Sequence, residues 1–321
     1  MPIPDVKETS KHTVNKVVIG ATKEDGGTRS HTVTIGGAAT LPFMSGDGDL
    51  GNRSCIAIDV PDSRPEDWPE LLLEPWKDVA DDPGKWAKKA VDECGADLIC
   101  ICLDGIHPDK GNRDADHAVQ AVTKVRDAVG VPLVVWRSGD ETKDNEILPK
   151  VSAALKGERV LFGSVDEDNY KRLTGVCMAD GHSLVGQAPL DINIAKQVNI
   201  LVTEMGFPLD RMVMFQTTGA LGYGIEYAFS IQERERIAAL QGDKMMSLPV
   251  IGLVGYESWR AKETKVPESD MPAWGSQKER AVMWESMTAL ALIQSGCDIL
   301  RMRHPDAVSI VKKNIERLLA E

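Results

Sequence analysis

Residues 97–136 read DLICICLDGIHPDKGNRDADHAVQAVTKVRDAVGVPLVVW. An apolar run at 97–103 is followed by a polar stretch, and then by residues 116–129, where apolar positions recur at helical spacing. Gly130 ends the helical pattern, and a second apolar run follows at 132–136. Short apolar runs joined by an amphipathic helix are typical of parallel strands that are buried on both faces. This stretch therefore predicts a strand–helix–strand unit.

The same unit recurs along the chain. Strands are predicted at 55–60, 97–103, 132–136, 159–162, 183–188, 212–216, 249–254 and 298–302, and helices at 84–94, 116–129, 146–155, 167–179, 192–205, 225–239, 277–294 and 305–319. Eight consecutive strand–helix units commonly close into a barrel. Glycines stand where helices would end with a positive φ, namely Gly95, Gly130, Gly157, Gly181, Gly206, Gly242 and Gly296. We therefore expect an α/β protein with one (βα)8 TIM barrel over residues 55–321.

An additional element precedes the barrel. The runs 16–21 and 32–36 are β-branched or apolar, and the polar stretch between them contains Asp25-Gly26-Gly27. Asp-Gly between two such runs is a hairpin signal. Residues 1–54 are therefore predicted to form an N-terminal β-hairpin and a lead-in loop.

Composition narrows the functional classes. The 321 residues carry a formal net charge of −12, which disfavours nucleic-acid binding. The N-terminus lacks a signal-peptide pattern, and no apolar run reaches the roughly 20 residues that span a bilayer. The six cysteines have no framework spacing, which is typical of reduced thiols. We expect a cytoplasmic protein with neither nucleic acid nor membrane as a partner.

Charged and amide side chains follow several predicted strands. In the last strand, Leu300 and Met302 suit the helix-facing layer, so alternation places Arg301 and Arg303 inside the barrel near its C-terminal mouth. The same alternation is expected to direct four further side chains inward: Asp59, Arg137, Gln187 and Gln216. Buried arginines need anions. A bound cofactor and an internal ion-pair network with Asp59 both satisfy this requirement, and both alternatives stay open.

The loop after the sixth predicted strand is rich in glycine and reads TTGALGYG from Thr217 to Gly224. Glycines allow a ligand close to the backbone, and the helix that follows begins with free N–H groups. The spacing matches neither a Walker motif nor a dinucleotide fingerprint, and a tight turn explains it as well. Two shorter loops of similar character are Arg137-Ser138-Gly139-Asp140 and Gly255-Tyr256-Glu257.

The sequence gives little support for a metal site or a catalytic nucleophile. Cys100 and Cys102 alternate on one strand face, as core cysteines do, and the other cysteines lack ligand spacing. No His-x-x-x-His pair and no Gly-x-Ser-x-Gly elbow occur. We therefore expect no metal site on this chain.

Four tryptophans fall in or beside the predicted rim loops: Trp68, Trp76, Trp259 and Trp274. Large aromatic side chains are common anchors in protein interfaces, although loop packing alone explains each one. We expect these four side chains to anchor a partner subunit.

Several longer strings resemble one family over essentially the whole chain: GGTRSHTVTIGGAATLPF, APLDINIAKQVNILVTEM, TTGALGYGIEYAFSIQERERIAALQGDKMMSLPVI, GYESWRAKE and RMRHPDAV. They resemble the small subunit of the corrinoid iron–sulfur protein, also called the delta subunit of the acetyl-CoA decarbonylase/synthase complex. This chain departs from the family pattern at Phe215-Gln216, where the family has Asp-Pro before Thr-Thr-Gly. The segment Val135-Trp136-Arg137-Ser138 departs from it as well.

The resemblance implies a non-catalytic subunit that covers a corrinoid (cobamide) shared with a larger subunit. That larger subunit is implied to carry the [4Fe–4S] cluster, so none is expected on this chain. Cobalt would accept a methyl group from methyltetrahydrofolate, or its tetrahydrosarcinapterin analogue, through a separate methyltransferase. It would pass the group to acetyl-CoA synthase in the reductive acetyl-CoA (Wood–Ljungdahl) pathway, so these two enzymes are implied as transient partners.

The residues that we expect to face the corrinoid are taken from the strand ends and rim loops. They are Arg137, Gln187, Gln216, Thr217, Thr218, Gly219, Gly222, Tyr223, Gly255, Tyr256, Arg301, Arg303 and His304.

Two other functions remain open. A pterin-dependent corrinoid methyltransferase would need a carboxylate and an amide for the pteridine ring, and Asp191 and Asn193 offer such a pair. Asp191 also fits a helix N-cap. An aldolase or decarboxylase would need a strand-end lysine, whereas Lys244 follows a helix.

Overall fold

A computed structural model describes residues 7–42, 44 and 46–319. The strands are β1 (Val17–Ile19), β2 (Val33–Ile35), β3 (Cys55–Pro61), β4 (Leu98–Cys102), β5 (Leu133–Trp136), β6 (Leu161–Val165), β7 (Ser183–Ala188), β8 (Met212–Gln216), β9 (Ile251–Gly252) and β10 (Ile299–Met302). The helices are α1 (Glu70–Leu73), α2 (Pro83–Asp92), α3 (Ala115–Ala128), α4 (Glu141–Ala154), α5 (Tyr170–Asp180), α6 (Ile192–Glu204), α7 (Ile225–Leu240), α8 (Val254–Ser258), α9 (Lys262–Lys265), α10 (Gln277–Ser295) and α11 (Pro305–Leu319). Short 3₁₀ helices span Glu74–Trp76, Asp104–Ile106, Leu209–Arg211 and Pro272–Trp274.

Strands β3 to β10 form one parallel sheet in the order β8-β7-β6-β5-β4-β3-β10-β9. A parallel bridge between Met214 and Val250 joins the two ends, and the Met214 N–H donates to the Pro249 carbonyl at 2.8 Å. Helices follow the strands around the outside. The predicted (βα)8 barrel is confirmed. No helix among the described residues has the length and apolar character needed to cross a membrane.

The hairpin closes the N-terminal end of the barrel. β1 and β2 pair antiparallel, with Val17 opposite Ile35, which confirms the predicted hairpin. Val17, Ile19 and Ile35 belong to the same apolar cluster as the inward side chains of the barrel strands. Arg29, in the connection between the two strands, forms a buried ion pair with Glu158 at 2.9 Å. The hairpin is thereby fixed to the barrel floor.

Two predicted boundaries differ from the structure for clear reasons. The helix predicted at 146–155 begins five residues earlier, at Glu141, because Asp140 caps it by accepting the Lys143 N–H at 2.8 Å. The strand predicted at 249–254 is reduced to β9, because α8 begins at Val254. Gly130 has no positive φ; its role is close packing, since a Cβ there would lie 2.8 Å from Ser30 Oγ.

A polar layer lies above the apolar floor, inside the C-terminal half of the barrel. Arg301 Nε donates to Asp59 Oδ1 at 2.8 Å, and Arg303 Nε donates to Asp59 Oδ2 at 3.0 Å. Arg301 is 2% exposed and Arg303 is 6% exposed. Desolvation opposes ionisation of Asp59, but the two guanidinium groups outweigh it and hold the pKa of its carboxyl below the ordinary value. This is the ion-pair network that the sequence left as an alternative to cofactor contact.

The inward alternation is confirmed for part of the predicted set. Asp59, Arg301 and Arg303 meet inside the barrel. For β8 the expectation is wrong: Phe215 packs in the interior cluster with Val213, so alternation turns Gln216 toward the helix layer.

The expectation for Arg137 is wrong for the same reason as that for Gln216, because the residue before it is the one that points inward. In β5, Trp136 packs against the interior cluster, whereas Val135 belongs to the outer one. Arg137 follows Trp136 and therefore lies beyond the strand end, outside the barrel interior.

A second buried polar group lies between α7 and the barrel. Glu235 is fully buried, and neither carboxylate oxygen has a hydrogen-bond partner among the described residues. Burial raises the pKa of Glu235 to about 8. The carboxyl group is therefore largely protonated in the folded protein at neutral pH.

Replacing Arg303 with Ala should lower the free energy of unfolding by about 3 kcal/mol, because Asp59 keeps only one of its two buried partners. Urea denaturation measures this change. Arg260→Ala removes an exposed arginine of the neighbouring loop and is the matched control, with an expected change of about 0.5 kcal/mol or less. Equal effects of the two substitutions would show that the network does not stabilise the barrel.

Glu235→Gln should change how stability depends on pH. Between the ordinary value of 4.5 and about 8, the folded protein binds more protons at Glu235 than the unfolded chain, so wild-type stability falls as pH rises. The variant lacks this loss, so its advantage should grow by about 2 kcal/mol from pH 5.5 to 7.5. Urea unfolding at both pH values tests this, with Glu226→Gln on the exposed side of α7 as the control. Parallel pH profiles for wild type and Glu235→Gln would contradict it.

Candidate functional site

The C-terminal mouth of the barrel is filled by side chains. The Arg301 guanidinium carbon lies 4.3 Å from the centre of the Trp136 ring, and the Trp136 and Phe215 rings meet edge to face at 5.4 Å. Arg301 Nη2 also contacts Cys102 Sγ at 3.1 Å. Cation–π and aromatic contacts of this kind hold a closed arrangement in place. A ligand at this end therefore meets a covered surface.

Exposed or half-exposed polar groups surround this covered centre. Arg137 donates to Asp166 at 3.1 Å, and Gln187 accepts from Ser164. Thr217 is exposed at the end of β8. The strand ends thus offer a guanidinium, an amide and a hydroxyl at the mouth.

Arg303 organises the opposite side of the mouth. Its guanidinium carbon lies 4.6 Å from the Trp68 ring centre and 5.2 Å from that of Tyr256. A Cβ at Gly255 would lie 2.7 Å from Arg303 Cγ, so only glycine fits there. Gly255 is a packing residue, and Tyr256 beside it is exposed.

Glu285, on α10, was not anticipated from the sequence. It is fully buried and accepts from the Arg303 backbone N–H at 2.6 Å and from Trp259 Nε1 at 2.7 Å. Burial raises the pKa of Glu285 to about 7, against the effect of these hydrogen bonds. The sequence signal for a buried carboxylate was a glutamate within the otherwise apolar repeat of this helix. Glu285 ties α8 and the end of β10 to α10.

His304 is buried and lies beneath the surface. Its ring stacks on Trp259 with 5.6 Å between centres, and Nδ1 accepts the Asp306 N–H at 3.1 Å. Burial lowers the pKa of His304 to about 4, so the ring is neutral at physiological pH. The structure places this candidate in the support of the rim.

The loop from Thr217 to Gly224 divides into structural and exposed parts. Thr218 is buried and its hydroxyl accepts the Leu253 N–H at 2.9 Å. A Cβ at Gly219 would lie 2.3 Å from the Gly224 carbonyl oxygen, so this glycine permits a tight turn. Gly222 is exposed with φ +74°, and the exposed Tyr223 donates its hydroxyl to Glu263 at 2.9 Å. The tight turn is therefore present at Thr218 and Gly219, and Gly222 and Tyr223 are the exposed part of the loop.

A cluster of charged residues follows β3 and β4, and the sequence did not reveal it. Asp62 is buried, accepts the Gly105 N–H at 2.8 Å, and has its other oxygen 3.4 Å from His117 Nε2. Asp104 lies 3.7 Å from Lys110 Nζ, and burial raises the pKa of Asp104. Asp62 comes from the loop after β3 and the other residues from the segment after β4, so the pairing of these neighbouring strands brings them together.

One group of possible metal ligands occurs among the residues that the structure describes. Asp59, Cys100 and Cys102 place ligand atoms within 4.8 Å of one another. Two guanidinium groups already hold the carboxylate, and the Cys100 contact together with burial raises the pKa of Cys102 well above its ordinary value. A neutral thiol beside two cations does not favour a metal ion.

The tryptophan prediction is wrong for three of the four residues. Trp76 and Trp259 are fully buried, and Trp68 is buried over Trp86, 5.5 Å away. They pack inside the rim loops and cannot anchor a partner. Trp274 is half-buried.

Asp191, one of the two residues proposed for a pterin, caps a helix. The Asp191 carboxylate accepts the backbone N–H groups of Asn193 and Ile194 at 2.7 and 3.3 Å, as a helix N-cap does. Both hydrogen bonds are accepted by Oδ1, which makes Asp191 the N-cap of α6.

Solved structures share the fold. Dihydropteroate synthases from Vibrio fischeri and Coxiella burnetii superpose with TM-scores of 0.56 and 0.55, at 12% and 14% identity. The matches cover 84% and 88% of this chain, and 94% and 98% of those chains. This likeness supports the barrel architecture.

Other proteins share more sequence with this chain than the dihydropteroate synthases do. The delta subunit of the acetyl-CoA decarbonylase/synthase complex from Archaeoglobus fulgidus is 37% identical over 96% of this chain and 69% of its own length. The delta 1 subunit from Methanosarcina thermophila is 35% identical over 95% of this chain and 70% of its own length. The family model described as CO dehydrogenase/acetyl-CoA synthase delta subunit matches residues 16–312. The chain therefore belongs to the delta-subunit family of the acetyl-CoA decarbonylase/synthase complex.

Proposed function

We propose that this chain covers a corrinoid that a larger subunit presents to the barrel mouth. The single observation that carries this proposal is the filled mouth, in which Arg301, Trp136 and Phe215 occupy the place where a barrel enzyme would bind its substrate. A surface of this kind suits a ligand held mainly by another chain. Membership of the delta-subunit family supports a corrinoid as that ligand.

The exposed rim residues fit the edge of a corrinoid. Corrinoids carry amide side chains and a phosphate-bearing tail, which pair with guanidinium, amide and hydroxyl groups. We propose that Arg137, Gln187, Thr217, Tyr223 and Tyr256 provide these contacts. Gly222 lets the loop approach the ligand.

The buried candidates support this surface from below. We propose that Arg301, Arg303 and His304 hold the aromatic side chains of the mouth in position, and that Gln216, Thr218, Gly219 and Gly255 shape the loops around it. Arg301 Nη1 is buried and has no hydrogen-bond partner among the described residues.

The bound corrinoid would supply methyl transfer through its cobalt, and this chain would orient it and exclude water. We propose that the partner is the large corrinoid iron–sulfur subunit, which carries the [4Fe–4S] cluster, and that no cluster lies on this chain. A methyltransferase and acetyl-CoA synthase would dock transiently, with methyltetrahydrofolate or its archaeal analogue as the methyl source in the reductive acetyl-CoA pathway.

Thr217→Trp should reduce the corrinoid affinity of the complex with the large subunit about tenfold or more, because bulk forced into a packed contact costs about 1–3 kcal/mol. The measurement is cobalt per complex after co-expression and titration with a cobamide. Thr9→Trp is the control, since Thr9 is exposed near Ser10, which contacts the Leu240 carbonyl at the far end of the barrel. Unchanged cobalt affinity in Thr217→Trp would remove the β8 end from the proposed corrinoid surface.

A further inference from the structure

The outer face of α10 lacks the charge that the other barrel helices display. After its first turn, the exposed and half-buried positions of this helix are Met283, Trp284, Met287, Leu290, Ala291 and Gln294. By contrast, α2 exposes Lys85, Lys88 and Asp92, and α11 exposes Lys313, Glu316 and Arg317. A helix that faces water normally carries charge on its outer side. The outer face of α10 is therefore built for contact with another surface.

The neighbouring loop and helix extend this apolar surface. Met283 and Met287 are 45% and 44% exposed, and Tyr223 and Tyr227 are 49% and 64% exposed. The Leu221 N–H donates to Thr288 Oγ1 at 3.1 Å, which fixes the loop before α7 against α10. We name Tyr227, Met283 and Met287 the α7–α10 face.

The α7–α10 face is continuous with the barrel mouth. Trp284 Nε1 donates to the Leu221 carbonyl at 2.8 Å, in the loop that begins with Thr217 at the end of β8. One rigid partner can therefore contact the mouth and this face at once. If a second copy of this chain occupied the face, a different molecule would have to cover the mouth.

We infer that the subunit that presents the corrinoid docks on the α7–α10 face through an uncharged apolar surface of its own. The inference rests on the proposed function and adds the place of docking. The family is one of subunits in a multisubunit complex, which requires partner surfaces on this chain. Large apolar side chains on an uncharged helix face, as on α10 after its first turn, are typical of permanent interfaces, whereas transient ones are more polar.

The test measures the affinity of full-length protein for the large corrinoid iron–sulfur subunit. Met287→Asp should weaken the complex about thirtyfold or more, the loss typical of a substituted interface hot spot. Met178→Asp is the matched control, because Met178 is 38% exposed on α5, on another side of the barrel, and this variant should bind like wild type. Tyr227→Asp provides a second substitution on the same face if Met287→Asp fails to fold.

The outcomes separate the two proposals. If Met287→Asp and Tyr227→Asp bind the large subunit like wild type while Thr217→Trp loses cobalt, the docking inference fails and the proposed function stands. If wild type does not bind the large subunit but forms a homodimer that Met287→Asp dissociates, a second copy occupies the face and both proposals fail. Sedimentation velocity of each variant alone and with the large subunit distinguishes these results.

Discussion

Asp59 holds two arginines inside the barrel, and the arrangement of the mouth depends on that contact. Asp59 lies on β3, Arg301 lies on β10, and Arg303 directly follows β10. The ion pairs therefore also join the first and last strands of the barrel. The same guanidinium groups lie over Trp136 on one side and Trp68 on the other. An aromatic cover results, because each arginine is shared between a carboxylate and a ring.

This cover determines what the barrel can bind. A barrel enzyme places substrate among its strand ends, but here buried charge and aromatic rings occupy that space. A cavity of about 670 Å³ lies at the edge of the rim beside Glu70 and Lys265, and one of about 810 Å³ lies beside Asn52 and Leu318, near the N-terminal end of the barrel. The mouth offers donors on a closed surface, which suits a large ligand that another subunit holds from the opposite side.

Much of the fold followed from the sequence, because buried parallel strands and amphipathic helices leave clear periodic patterns. Side-chain direction was less predictable at strand ends. Alternation failed at Gln216 and Arg137 because it was counted from the wrong residue, and Phe215 and Trp136 are the inward side chains. Loop tryptophans such as Trp76 could not be assigned either, since burial of a rim loop depends on contacts between distant segments. Glu285 could not be assigned from the sequence either, because its partners Trp259 and Arg303 lie at the ends of α8 and β10.

The central claim is that the closed mouth makes this chain half of a corrinoid site. Equilibrium dialysis with a cobamide tests it most directly, with cobalt measured on the isolated chain and on the same chain assembled with the large subunit. The account predicts stoichiometric cobalt on the complex and none on the isolated chain at the same free cobamide concentration. Stoichiometric cobalt on the isolated chain would contradict it, because a mouth sealed by Arg301, Trp136 and Phe215 has no enclosed space for so large a ligand.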